Sequence, residues 1–131
     1  MMEKTIYDSF HEAAHGSLAA MRELRELGLL AGDLHGLCEA VTFARLAAAR
    51  GDASDEAQLV GILAAFAEQK TIAPHIYAGE ALARVERLAD LGDEHAEATS
   101  LNVQALADEP TLGHARDVYN ALKAIGKRGG K

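Results

Sequence analysis

Apolar side chains recur at intervals of three and four residues along most of the chain, and this spacing constrains the fold more than any other feature. Such intervals place side chains on one face of an α-helix, whereas a half-buried strand needs strict alternation. One such face holds Ile6, Phe10, Ala13, Ser17, Met21 and Leu24. Only two prolines, Pro74 and Pro110, interrupt the 131 residues. The sequence therefore predicts an all-α fold, a single compact bundle of five or six helices.

Glycines delimit the first two predicted helices. The spacing predicts a first helix over 3–27 that Gly28 and Gly32 end, because glycine is favoured just after the last helical residue. Asp33 is a suitable N-cap for a second helix, which ends near Arg50. We expect the buried face of this second helix to hold Leu37, Val41, Ala44 and Ala48.

The third predicted helix begins at Ser54, an N-cap followed by the carboxylates of Asp55 and Glu56 in the first turn, where the helix dipole favours negative charge. Its middle, 59–67, is apolar nearly all round. A helix without a polar face is typical of one that other helices surround. We therefore expect this helix to be central.

Pro74 and Gly92 mark the limits of a fourth helix, after a break over 70–74. Its predicted buried residues are Leu82, Val85, Leu88 and Ala89. A weaker helical stretch covers 93–108, either as one helix or as two pieces divided at Thr99 and Ser100. The last helix opens at Pro110 and Thr111 and ends at Gly126. This gives a bundle domain over 1–126 and a flexible basic tail over 127–131.

Glycines also lie inside the predicted helices, at Gly16, Gly36, Gly61, Gly79 and Gly113. Each costs about 1 kcal/mol relative to alanine, so some gain should offset it. We favour close helix crossing over a ligand cavity, with Ala57, Gly61 and Ala65 as one ridge of small residues.

The charge balance excludes some classes of function. Twenty acidic against thirteen basic residues give a net charge of −7, which argues against direct nucleic-acid binding because that affinity needs clustered Lys and Arg.

Other sequence features bear on the location of the protein. The longest apolar run is too short to span a membrane. The N-terminus lacks the features of an export signal. We expect a cytoplasmic protein in which the single cysteine, Cys38, is a buried structural thiol.

One short motif carries a chemical mechanism. His11-Glu12-Ala13-Ala14-His15 matches the HExxH signature of zinc metallopeptidases and is similar to the motif of the membrane AAA protease family. That resemblance implies zinc bound by His11 and His15, with Glu12 as general base on the metal-bound water. The helical period, however, turns both imidazoles outward from the face that holds Phe10 and Ser17, and no third ligand is identifiable by spacing.

The sequence favours a non-enzymatic role, a protein interaction or regulatory module whose acidic surface lies mainly at 52–56 and 90–97. One form of this hypothesis is an inhibitor that mimics the charge of nucleic acid. The alternative is a metal-binding protein or zinc-dependent hydrolase that uses His11, Glu12 and His15. A homodimer formed through the third or fourth helix is a further hypothesis.

Overall fold

The structure is a computed structural model that describes residues 6–69, 73–109 and 112–130, with side chains over 8–69, 73–109 and 112–125. The described ranges contain α-helices, one 3₁₀ turn at Leu112 and no strand, so the all-α class is confirmed. The helices in chain order are α1 (Ile6–Ala14), α2 (Leu18–Ala31), α3 (Leu34–Ala48), α4 (Ala53–Gln69), α5 (Pro74–Asp90), α6 (Ala96–Ala107) and α7 (Ala115–Gly130).

The expectation of five or six helices is wrong, because the described ranges contain seven. The stretch predicted as one first helix is two helices, which Gly16 separates. Gly16 has a φ of +94°, a conformation that only glycine adopts at little cost. The N–H groups of Gly16 and Ser17 donate to the carbonyls of Ala13 (3.0 Å) and Glu12 (2.9 Å), which closes α1. The Ser17 hydroxyl then accepts from the N–H of Ala20 at 3.2 Å and caps α2.

Contacts divide the chain into two compact units, Met1–Leu59 and Val60–Lys131, with the boundary inside α4. In the first unit α1 packs on α2, and α2 packs on α3. The rings of Phe10 and Phe43 lie 5.6 Å apart between centroids. They pack with Leu18 against a buried cluster made of Ala13, Ala20, Met21, Leu24 and Ala47. The apolar face predicted for the first helix is thus largely buried although the helix is broken.

Two glycines bring α2 and α3 close together. Gly28 does not end a helix; it lies inside α2, where an added Cβ would come within 2.6 Å of the carbonyl oxygen of Gly36 on α3. The predicted stop at Gly32 is confirmed by its φ of +72°. The predicted cap is also confirmed, since the Asp33 carboxylate accepts from the N–H of Gly36 at 2.7 Å. The four residues predicted for the inner face of α3 are all buried.

The apolar middle of α4 is largely buried, with Leu59, Leu63 and Phe66 fully so. Gly61 is the exception, because it is exposed and an added Cβ would meet nothing within 4 Å among the described residues. The predicted crossing at this glycine is therefore wrong. The helix also begins at Ala53, so that Asp52, two residues before the predicted Ser54, precedes its first residue, and the carboxylate of Asp52 accepts from the N–H of Ser54 at 2.8 Å.

In the second unit α5 packs against both α6 and α7. The limits of α5 agree with the prediction, with Pro74 in its first turn and Gly92 just beyond its end at a φ of +82°. Gly79 allows the close approach of α7, because an added Cβ would lie 2.5 Å from Cβ of Val118 and 2.7 Å from the carbonyl oxygen of Ala115. The predicted role of Gly79 in a helix crossing is confirmed.

The last two helices differ from the prediction at their ends. The stretch over 96–107 is one helix, without the alternative division at Thr99 and Ser100. Gly113 lies in a turn before α7, and α7 continues past Gly126 to Gly130. Flexibility of the tail stays a prediction.

Some predictions lie outside the described residues, namely the boundaries at Glu3, Lys70, Pro110 and Thr111 and the tail residue Lys131. Over the part of the chain that is described, no helix is both long and apolar enough to cross a membrane.

Candidate functional site

The two histidines of the HExxH motif lie on the last turn of α1 and just after it. The N–H of His15 donates to the carbonyl of His11 at 3.1 Å, so one helical turn separates the two side chains. Their rings are 4.4 Å apart between centroids and tilted by 58°. Both side chains are exposed, as is Glu12. The outward direction predicted from the helical period is therefore confirmed, and the two imidazoles are neighbours.

A catalytic zinc site needs three protein ligands and an open coordination position. The described residues contain no group of three His, Cys, Asp or Glu side chains placed to hold a metal ion. The structure thus brings His11 and His15 together but joins no third ligand to them within its described ranges. The hydrolase hypothesis with Glu12 as base stays a prediction.

Cys38 was expected to be a buried structural thiol, and this is wrong because the side chain is exposed on α3. The neighbouring His35, three residues earlier on the same helix, pairs with a carboxylate. The His35 ring contacts the carboxylate of Glu39 at 3.0 Å, one turn further along the same helix.

The acidic surface predicted over 52–56 is only partly correct. Asp55 and Glu56 are buried, with relative exposures of 2% and 0%. The Asp55 carboxylate accepts from Nη2 of Arg22 at 2.6 Å and from Nη1 of Arg25 at 3.0 Å. The bonds from Arg22 hold the pKa of Asp55 below its ordinary value; burial acts in the opposite direction, and the bond from Arg25 adds to the lowering. Asp55 therefore links α4 to two arginines of α2, and neither buried carboxylate is exposed to a partner.

The second predicted acidic stretch, 90–97, is better exposed and borders a groove between α5 and α6. Asp90, Glu94 and Glu97 are exposed, and Asp93 is half-buried. Because α6 follows α5 after a short turn, these residues gather at the end of the pair where the turn lies. This part of the predicted acidic surface is accessible to a partner.

The groove between α5 and α6 has a volume of about 330 Å³. Its floor is apolar and includes Val85 and Ala96, which are buried. Ala89, predicted to be buried, is exposed in the groove, and Leu101 is 63% exposed there. The groove is completed by the polar side chains of Glu86, Glu97, Ser100 and Gln104.

Glu86 at the rim is held by α7. Lys123 and Tyr119 both donate to its carboxylate. Lys123 first, and Tyr119 second, lower the pKa of Glu86, and the same carboxylate raises the pKa of the Tyr119 phenol. One carboxylate of the rim is thereby fixed in place and remains ionised, while Glu97 stays exposed.

A second, smaller groove of about 230 Å³ lies between α5 and α7. It is lined by Ala83, Leu122, Glu80, Arg84 and Arg87. Arg84 and Glu80 pair at 2.9 Å. Charges of both signs surround this groove, so it has less preference for the charge of a partner than the groove between α5 and α6.

None of the protein-family models, curated proteins or solved structures compared with the chain matches it. The groove residues were not found by sequence reasoning, because Ala89 and Leu101 continue the apolar period of their helices and look like core positions. The acidic residues beside the turn were the one sequence signal that pointed to this region.

Proposed function

We propose that the chain is a non-enzymatic protein interaction module, and that the groove between α5 and α6 is its docking surface for a basic amphipathic helix. The observation that carries the proposal is an open apolar floor bordered by carboxylates. Amphipathic helices commonly bind in grooves of this kind through apolar side chains spaced at three and four residues.

The floor supplies the driving force for docking. Leu101 is 63% exposed and lies beside Ala89, which is also exposed. Covering a leucine side chain completely contributes roughly 1.5–3 kcal/mol. Ser100 and Gln104, joined by a hydrogen bond of 2.9 Å, provide polar groups at the edge that a partner side chain can contact.

The rim supplies the charge preference. Asp90, Glu94 and Glu97 are exposed around the groove or at its turn end, whereas the charge of Glu86 is paired with that of Lys123. Complementary charge raises the association rate and disfavours partners of like charge. Lysine or arginine on the flanks of the docked helix matches this rim, and acidic segments do not.

The test uses a synthetic helical peptide with leucines on one face and lysines elsewhere, titrated into the isotope-labelled full chain. We expect chemical-shift changes concentrated at Val85, Ala89, Ala96 and Leu101. A scrambled peptide of the same composition, without a leucine face, is expected to bind at least about tenfold more weakly, which corresponds to about 1.4 kcal/mol.

Leu101→Glu tests the floor, and Leu30→Glu is the matched control because Leu30 is 81% exposed on α2 of the other unit. We expect Leu101→Glu to weaken peptide binding by tenfold or more, and Leu30→Glu to leave it within twofold. Equal binding of the two peptides, or shift changes centred outside α5 and α6, would contradict the proposal.

A further inference from the structure

We propose that His11 and His15 form a two-imidazole chelating site for a divalent first-row transition metal ion such as Ni²⁺ or Zn²⁺. The site lies in the first unit and is independent of the groove between α5 and α6. It is a binding site with water in the remaining coordination positions, and it carries no step of a reaction.

The side chains have the spacing along one helix that chelation requires. One helical turn separates them, and their ring centroids are 4.4 Å apart. Both are exposed, so a hydrated ion reaches the ring nitrogens without displacing other parts of the protein. Imidazole nitrogen is a preferred ligand of zinc, copper and nickel.

The two rings differ in their surroundings from other exposed histidines. The rings of His35, His95 and His114 each lie within 3.4 Å of a carboxylate oxygen. Within the described part of the chain, the contact shown for the rings of His11 and His15 is the one with each other. Among the described residues, no carboxylate is shown in contact with these nitrogens, so a metal ion would not have to displace one there.

The backbone that carries the pair is held in place. The two hydrogen bonds that close α1 span Glu12 to Ser17. The carbonyl of Gly16, next to His15, accepts from Nη1 of Arg50 at 2.7 Å. Because this turn is fixed, a metal ion bound to one imidazole finds the second at a high effective concentration, which is the source of chelate affinity.

The electrostatic surroundings also favour a cation. The histidines are at the C-terminal end of α1, where the carbonyl groups give the helix dipole its negative end. Asp8 and Glu12 are exposed on the same stripe of the helix. The first unit as a whole carries ten acidic and five basic residues.

The experiment is a calorimetric titration of the untagged full chain with Ni²⁺, together with nuclear magnetic resonance spectra in which the paramagnetic ion broadens nearby signals. We expect one ion per chain and broadening centred on residues 11–16. Since a chelate needs both rings, His11→Gln and His15→Gln should each weaken binding by at least about tenfold, and the double variant, which keeps neither imidazole of the pair, should show no binding at this site.

Two variants in the same unit serve as controls, His35→Gln for an exposed imidazole and Cys38→Ser for the exposed thiol. Both should bind Ni²⁺ within twofold of the unsubstituted chain. Binding that survives the double substitution, that is lost in Cys38→Ser, or that falls by half in stoichiometry with each single histidine variant would overturn the proposal. Far-UV circular dichroism checks that every variant keeps its helices.

Discussion

Alanine substitutions at Gly79 and Gly61 make the same chemical change at two helical positions of one unit, and we expect opposite effects on stability. Alanine is favoured over glycine in a helix interior by about 1 kcal/mol. At Gly61 an added Cβ meets nothing within 4 Å among the described residues. Gly61→Ala should therefore raise the free energy of unfolding by about 1 kcal/mol.

At Gly79 the helix-propensity gain of alanine over glycine is outweighed by a steric clash, because α7 lies close to this position. The new Cβ would lie 2.5 Å from Cβ of Val118, whereas ordinary contact begins at 3.4 Å, and the carbonyl oxygen of Ala115 is also too close at 2.7 Å. The two helices must therefore separate by about 1 Å, which forfeits up to half of the dispersion energy of the atoms around the contact. Overpacking of this kind costs about 1–3 kcal/mol.

We expect a net loss of about 1 kcal/mol for Gly79→Ala, and thus a difference of about 2 kcal/mol between the two variants. Urea unfolding followed by circular dichroism measures it, provided that the slope of the transition is unchanged. A Gly79→Ala protein as stable as the Gly61→Ala protein would refute the crossing as the reason for this glycine.

Three further outcomes test other parts of the structure. Asp55→Ala should lower the free energy of unfolding by about 3 kcal/mol, because it leaves the buried guanidinium of Arg25 without its main partner. The bonds from Arg22 lower the folded-state pKa of Asp55, so the stability that the ionised carboxylate contributes should be complete above about pH 5 and lost as pH falls below about 4. Urea unfolding over a pH series measures this loss. If the free energy of unfolding fell equally with pH in Asp55→Asn and in the unsubstituted chain, this role of Asp55 would be contradicted. Gly16→Ala should cost roughly 1 kcal/mol, since alanine is strained at the φ of +94°, and an unchanged transition midpoint would contradict the stop assigned to α1.

Local sequence signals predicted the limits of a helix well where a single proline or glycine marked each end. Pro74 and Gly92 define α5 correctly because each acts on the backbone within one turn. The break between α1 and α2 was missed because Gly16 was interpreted as an interior glycine, although Gly16 followed by Ser17 is a helix stop followed directly by a cap. The period around this break still predicted correctly that His11 and His15 face outward.

The features that depend on contacts between distant residues could not be predicted. Asp55 and Glu56 have the sequence context of solvated first-turn carboxylates, yet both are buried. Asp55 is covered by packing that includes Arg25, which lies thirty residues earlier in the chain. Ala89 and Leu101 continue helical apolar faces, and only the relative placement of α5 and α6 leaves them uncovered. Sequence spacing identifies a face but not the neighbour that covers it.

Charge reversal at the groove tests the proposed docking surface most directly. The measurement compares the affinities of the leucine–lysine peptide and a leucine–glutamate analogue for the unsubstituted chain and for Glu94→Lys/Glu97→Lys, with Glu68→Lys as a control for an exposed acidic residue on α4. We expect the unsubstituted chain and the control to prefer the lysine peptide, and the double variant to prefer the glutamate peptide. An unchanged preference in the double variant would contradict docking at the groove between α5 and α6.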